Sequence, residues 1–401
     1  MIIVKKYLFL LLLLFIPNTI YALNYPDVNS KYVEVYDLTD DKILYELNSN
    51  DKISIASLTK IATTITAIEN IKNLDEKVTI TQDILNTVRW DASIAGLRAN
   101  DQLTYMDLLY ASMLPSGADA TNSIAILSSG SIESFVEKMN LLVNKLGLTN
   151  THFVNVTGLD INNHYSSADD IRKLLAYSLK NDTFKKIYTT SEYKLSNGLN
   201  VYSTINKYNK YSNSDTSKIL GSKTGFTLDA GYCMSSLINK DDHEILVITL
   251  KADKINNSYY NLVDTLKLIK FINDNYDNQL LIKKNTLIKQ LNVNLSNIDS
   301  YSIYNSNNIY KMLPNDYDNS LFKVVYIGIE ELDYNNKKND NIGKINYYYD
   351  NELLLSEDVI LNSEIKFNIL KYIKKYLIYI ISIALLIIFI LVFIIKLKRR
   401  K

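Results

Sequence analysis

Ser57-Leu58-Thr59-Lys60, Ser116-Gly117-Ala118 and Lys223-Thr224-Gly225 follow one another along the chain. Each supplies a part that acyl transfer on a serine needs. A serine hydroxyl is a poor nucleophile until a base takes its proton, and a lysine can be that base only if burial or nearby positive charge lowers its pKa. Three residues of spacing put Ser57 and Lys60 on one helix face, a turn apart. A helix start adds unpaired N–H groups and positive potential where an oxyanion develops. In the third motif lysine offers a cation for a carboxylate, threonine a hydroxyl, and glycine a close approach to the strand backbone.

Ser-x-x-Lys alone says little in a lysine-rich chain, because Ser49 with Lys52, Ser191 with Lys194 and Ser363 with Lys366 match it too. Ser57 differs in its setting. Leu58, Ile61, Ala62, Ile65 and Ile68 fall at helical spacing, so Ser57 stands at the start of a helix with a buried face. The plain alternative makes Ser57 an N-cap and Lys60 a solvated side chain. For the third motif the alternative is a charged edge strand with a glycine bulge. Gly221, Gly225 and Gly231 cluster in one strand-turn segment of a chain with 11 glycines, which favours close backbone approach. For the middle motif the alternative is a helix-starting turn after Pro115, with Asp119 in the first turn.

The elements that must hold these residues read as strands, then helices, then strands. Lys31 to Asp37 and Lys42 to Leu47 alternate around Thr39-Asp40-Asp41 as a hairpin. Thr104 with Asp107 is a capping-box signal for a helix that Pro115 stops. A further helix follows Ser116, and one over Ile132 to Leu146 ends at Gly147. Ile219 to Ala252 returns to strands, Glu244 to Leu250 among them. The pattern predicts an α+β domain with helices packed on an antiparallel sheet over 24–277. Beyond it, 278–362 reads as a small β-rich domain, in which Phe322 to Ile329 and Lys344 to Tyr349 are strands joined by an exposed loop over Tyr334 to Asn341.

At 401 residues and 47% hydrophobic composition the chain can bury a large core and form more than one domain, and it reads as a globular protein with additions at both ends. Lys+Arg 44 against Asp+Glu 43 leaves a net charge of +1, which gives no electrostatic reason to expect nucleic acid as a partner. The lone Cys233 excludes an intramolecular disulfide framework and reads as a small buried apolar residue. Lys5 and Lys6, an apolar run from Tyr7 to Ile16 and the small Ala22 predict a signal peptide over 1–22. Leu377 to Ile395 lacks a charge for about the length of a membrane-crossing helix. A polar juxtamembrane linker over 363–376 leads to it, and a basic tail over 396–401 follows. Export of the N-terminus places the bulk outside the cytoplasmic membrane and the tail inside. The Asn, Lys, Ile and Tyr bias, with 31 tyrosines, reads as codon composition and carries no chemistry.

Taken together these segments resemble the low-molecular-mass penicillin-binding proteins that act as D-alanyl-D-alanine carboxypeptidases, over roughly 25–275. The resemblance rests on Ile55-Ala56-Ser57-Leu58-Thr59-Lys60-Ile61, on Gly96-Leu97-Arg98-Ala99-Asn100-Asp101, with Asn100 in place of a glycine, and on Asn155-Val156-Thr157-Gly158-Leu159 followed by His164-Tyr165-Ser166. Gly221-Ser222-Lys223-Thr224-Gly225-Phe226-Thr227, ending in Ala230-Gly231-Tyr232, matches most closely. It implies a β-lactamase/transpeptidase-like domain, a small β-rich domain and a C-terminal membrane anchor. It also implies roles: Ser57 as nucleophile, Lys60 as base, Ser116 as proton relay, and Lys223 and Thr224, with Gly225 beside them, as holders of the terminal carboxylate. The oxyanion hole would use the backbone N–H groups of Ser57 and Phe226. Peptidoglycan stem peptides are the implied substrate and β-lactams the covalent inhibitors; neither metal nor cofactor is implied. Ala118 departs from the pattern, which usually has an Asn whose amide bonds the substrate backbone.

Three rivals differ in what they need. A class A β-lactamase requires a glutamate poised over the deacylating water, and Glu137 to Asn140, the nearest candidate, lies on a regular amphipathic helix. A zinc peptidase requires metal-ligand spacing that His152, His164 and His243 lack, and His164 reads as structural. A membrane-tethered wall-binding protein with weak or no turnover is motivated by Ala118.

Overall fold

The computed structural model describes residues 25–212, 214–255 and 258–398. The expected signal peptide over 1–22 lies outside the described residues, as does the end of the basic tail. The chain divides into two compact units, with the boundary between Asp277 and Asn278.

In the first unit the hairpin forms β1 (Tyr32–Asp37) and β2 (Lys42–Leu47). The Asp37 carboxylate accepts hydrogen bonds from the Thr39 and Asp40 N–H groups and so shapes the turn. Its other oxygen lies 2.8 Å from His243 Nδ1, and Asp40 completes a three-residue cluster that no sequence spacing announces. The longer helices are α1 (Thr59–Asn70), α2 (Tyr105–Met113), α3 (Ala118–Ser129), α4 (Ile132–Lys145), α5 (Ala168–Ser178), α6 (Asp182–Thr189) and α7 (Thr204–Ser212). Then come β3 (Ile219–Thr227), β4 (Gly231–Lys240), β5 (His243–Ala252) and α8 (Tyr260–Asn275).

These strands make one antiparallel sheet in the order β2-β1-β5-β4-β3. β5 sits at its centre and its Ile245-Leu246-Val247-Ile248 run is fully buried, as expected of a strand covered on both faces. β3, which carries Lys223-Thr224-Gly225, is at one end of the order. Local signals explain where the helices begin. The Thr104–Asp107 capping box is present in both directions, and the Ser131 and Ser167 side chains cap α4 and α5. α4 buries Phe135, Val136, Met139, Leu142 and Val143 on one stripe and leaves Glu137 exposed. Cys233 is buried in β4, and burial pushes its thiol up to about 12, which makes it inert.

The second unit is built from short strands around its own core, which includes Leu291, Val293, Ile303, Ile345 and Tyr347. Phe322–Gly328 and Asn341–Tyr349 pair antiparallel across the polar loop. The C-terminal helix runs over Ile369–Lys398 and is long and apolar enough to cross a membrane over Ile369–Ile395. It begins inside the stretch expected as a linker over 363–376. The reason is a cap: the Asn368 side chain accepts from the N–H groups of Leu370 and Lys371 and so starts the helix early.

Candidate active site

Ser57 does not cap α1. It lies in a single 3-10 turn, Ala56–Leu58, directly before the α-helix, and no side chain caps that helix. Its hydroxyl is therefore available, and Lys60 Nζ donates to it at 3.0 Å. The same ammonium donates to the Thr157 carbonyl at 2.8 Å. Lys60 is 2% exposed and, among the described residues, forms no ion pair. Burial lowers its pKa to about 7, and the negative charge of Asp119 works in the opposite direction.

The Thr157 carbonyl is held in place by its own loop. Asn155 Oδ1 accepts from the N–H groups of Thr157 and Gly158 and from Thr157 Oγ1, while its amide donates to the Leu159 carbonyl. Gly158 has φ +86°, and a Cβ there would lie 1.8 Å from the Ala56 carbonyl oxygen. Only glycine lets this loop lie against the Ser57 turn. His164 fastens the same turn. Its Nδ1 accepts from the Val154 N–H, which leaves the proton on Nε2, and Nε2 meets Thr59 Oγ1 at 2.8 Å. Thr59 in turn donates to the Ala56 carbonyl at 2.9 Å. Burial lowers the His164 pKa to about 4, so the ring is neutral and structural.

Ser116 and Lys223 form the second pair. Lys223 Nζ donates to Ser116 Oγ at 3.0 Å and to the Thr224 carbonyl at 2.7 Å. Lys223 is fully buried, and both burial and the Lys60 charge press its pKa well below the ordinary lysine value. A carboxylate ligand would restore the charge. Thr224 Oγ1 lies 2.5 Å from Thr204 Oγ1 at the start of α7. Gly225 lies against the reacting serine: a Cβ there would sit 2.8 Å from the Ser57 N. Phe226 is half exposed and stacks on Tyr232, with ring centroids 4.3 Å apart.

Sequence reasoning placed Asp119 only in the first turn of a helix. In the structure it is buried and accepts from the N–H groups of Ala95, Gly96 and Leu97, as well as from its neighbour Ala120. It thereby ties the Gly96-Leu97 segment to the Ser116 turn. Its only sequence signal was the offset from Ser116. Ala118, 2% exposed, presents a methyl that cannot hydrogen-bond, and its N–H donates to the Ser93 carbonyl at 2.7 Å.

Two serines are thus each hydrogen-bonded to a buried lysine, and a strand glycine lies against one of them. A family model described as D-alanyl-D-alanine carboxypeptidase matches residues 20–254. The chain belongs to the D-alanyl-D-alanine carboxypeptidase family. A second model, described as the C-terminal domain of penicillin-binding protein 5, matches residues 276–366. Among curated relatives, D-alanyl-D-alanine carboxypeptidase DacF of Bacillus subtilis is 31% identical over 265 residues, covering 63% of this chain and 64% of the relative. DacC of Escherichia coli is 32% identical over 244 residues, 57% of this chain and 59% of the relative. The match thus spans less than two thirds of the length of either relative. The crystal structure of penicillin-binding protein 5 from Haemophilus influenzae superposes with a TM-score of 0.64 at 25% identity, covering 86% of this chain and 99% of that one. The α+β penicillin-binding fold, the β-rich C-terminal domain and the apolar C-terminal helix all agree with this family.

Proposed function

We propose that the protein is a membrane-anchored serine D-alanyl-D-alanine carboxypeptidase that trims the terminal D-alanine from peptidoglycan stem pentapeptides. The observation that carries this reading is the buried Lys60 ammonium, 3.0 Å from Ser57 Oγ and with a pKa lowered to about 7. Neutral Lys60 takes the Ser57 proton as Oγ bonds to the carbonyl carbon of the penultimate D-alanine. The N–H groups of Ser57 and Phe226 receive the oxyanion. The C–N bond then breaks, and the leaving amine of the terminal D-alanine takes a proton through Ser116. Lys223, Thr224 and the adjoining Gly225 backbone hold the terminal carboxylate, drawing the Lys223 charge back by pairing. Water attacks the acyl-Ser57 ester, Lys60 again accepting the proton, and releases the shortened peptide. β-Lactams offer the same carboxylate beside a strained amide and acylate Ser57 stably. The C-terminal helix anchors the protein with its catalytic unit on the extracytoplasmic face.

Ala118 supports a second reading, a wall- and penicillin-binding protein with weak turnover, because its methyl supplies no hydrogen bond to the substrate backbone. Fluorescent penicillin and a pentapeptide assay separate the two. The full chain in detergent is expected to be labelled and to release D-alanine, and Ser57→Ala to do neither. Labelling without release would favour the second reading; equal labelling of Ser57→Ala would overturn the mechanism.

A further inference from the structure

The C-terminal helix does not leave the β-rich unit on a loose tether. Phe367 pairs with Ser296 as an isolated antiparallel bridge, and Asn297 exchanges two hydrogen bonds with the Lys366 backbone, each of 2.9 Å. The Asn368 N–H donates to the Leu295 carbonyl, and in the first turn of the helix Lys371 Nζ donates to Asp299 Oδ1 at 2.6 Å. The residues expected as a linker are thus stitched to the 295–299 segment before the charge-free run begins at Leu377.

Aromatic rings continue the connection toward the bilayer. Tyr334 packs edge-on against Phe367 with centroids 4.8 Å apart, Phe367 meets Tyr372 at 5.7 Å, and Tyr372 meets Tyr376 at 4.8 Å. Tyr334 and Phe367 are nonetheless 39% and 45% exposed. Leu377 lies five residues beyond Tyr372 in the helix, about 8 Å of rise. The headgroup layer on each side of the hydrocarbon is roughly 5 to 8 Å thick. The ring cluster therefore stands at headgroup depth, where an aromatic side chain with one wet end is favoured.

Charge points the same way. Lys366 and Lys371 are paired with Glu364 and Asp299. Lys337 and Lys338, in the same turn as Tyr334, are exposed, and among the described residues neither they nor Lys374 and Lys375 of the helix pair with a carboxylate. The acids of that turn are engaged within it: Asp333 accepts from Asn335, and Asp340 from the Lys337 N–H.

We propose that the 333–340 turn, with Tyr334 as its ring and Lys337 and Lys338 as its cations, is a second membrane contact that seats the β-rich unit on anionic phospholipid headgroups. The inference rests on the reading that the C-terminal helix crosses the membrane. The helix holds the chain in the bilayer, and the turn sets how the unit stands on it. Juxtamembrane lysines gain from an anionic surface and little from a neutral one.

The test uses the full chain in lipid nanodiscs, either phosphatidylcholine alone or an equal mixture with phosphatidylglycerol. An environment-sensitive fluorophore is attached at Asn335→Cys, beside Tyr334; Cys233 is buried and stays unlabelled. A control carries the label at Ser320→Cys, next to Leu321, which bonds Asp350 at the far end of the Asn341–Tyr349 strand, about 27 Å of strand rise away. Quenching by a phosphatidylcholine with a nitroxide on its headgroup reports contact with the surface. The Asn335 label is expected to be quenched in the anionic discs and the Ser320 label to be spared. Lys337→Gln and Lys338→Gln are each expected to lower the contact equilibrium about fivefold and to bring quenching toward the level of the neutral discs. Quenching at Asn335 no greater than at Ser320, or indifferent to lipid charge or to the two substitutions, overturns the headgroup contact while the anchor stands. A chain that fails to co-purify with the discs overturns the anchored reading, and the contact with it.

Discussion

Asp119 and Lys60 are set against each other: burial drives the proton off the lysine, and the carboxylate, which does not touch it, holds the proton on. The balance leaves Lys60 with a pKa of about 7, where a lysine can act both as base and as acid. Asp119 earns its place twice, because the same carboxylate fastens the Ala95-Gly96-Leu97 backbone.

Acylation should therefore rise with pH through about 7, as Lys60 becomes neutral. Asp119→Asn removes the charge that raises the pKa, so the rising limb should move to lower pH. The same change should cost roughly 2–4 kcal/mol of stability through weakened charge-assisted hydrogen bonds. Penicillin acylation rates from pH 5 to 9, together with a urea melt, measure both; a limb that moves upward contradicts the assignment.

Gly158→Ala should disable the site without touching a reacting group. The added Cβ would fall 1.8 Å from the Ala56 carbonyl at a φ of +86°, so the loop must withdraw and take the Thr157 carbonyl away from Lys60. A stability loss of about 3 kcal/mol or more is expected, with acylation down by at least a hundredfold, on the order of a lost general base. Thermal melting and penicillin labelling of the variant check this.

His164 should make the fold sensitive to acid. Its folded pKa of about 4 lies below the unfolded 6.5, so the unfolded chain binds the proton first. Stability is intact above 6.5 and is lost as pH falls from 6.5 to 4, by about 3 kcal/mol in all. His164→Gln should flatten that part of a stability–pH curve, and an unchanged slope would count against the buried neutral ring.

Ala118→Asn should change turnover modestly. One neutral hydrogen bond is worth about 0.5–1.5 kcal/mol, so a gain in kcat/KM of between about twofold and tenfold is expected on a pentapeptide. A gain of a thousandfold would mean that Ala118 had silenced the enzyme, and no gain would mean that the missing amide has another substitute.

Much of the site was legible because its residues carry local signals. The Thr104–Asp107 capping box, the α4 stripe and the β1–β2 hairpin are encoded within a few residues, and the structure has them where spacing predicts. The supports around the reacting groups were less legible. Ala56 and Ser116 adopt left-handed backbone, φ 49° and 64°, which neither residue type announces. His164 reaches Thr59 across 105 residues of sequence, and Asp119 acts on backbone more than twenty residues earlier. Asn368 starts the C-terminal helix where charge pattern suggested a linker, because one asparagine among many does not stand out as a cap.

The clearance at Gly225 also bears on how drug resistance can arise. Any side chain there meets the Ser57 N, which on the proposed mechanism is where the oxyanion settles. A substitution that kept a β-lactam from the serine would keep the natural carbonyl away as well. Escape through that position is closed, and insensitivity has to be found in contacts that the antibiotic makes and the stem peptide does not.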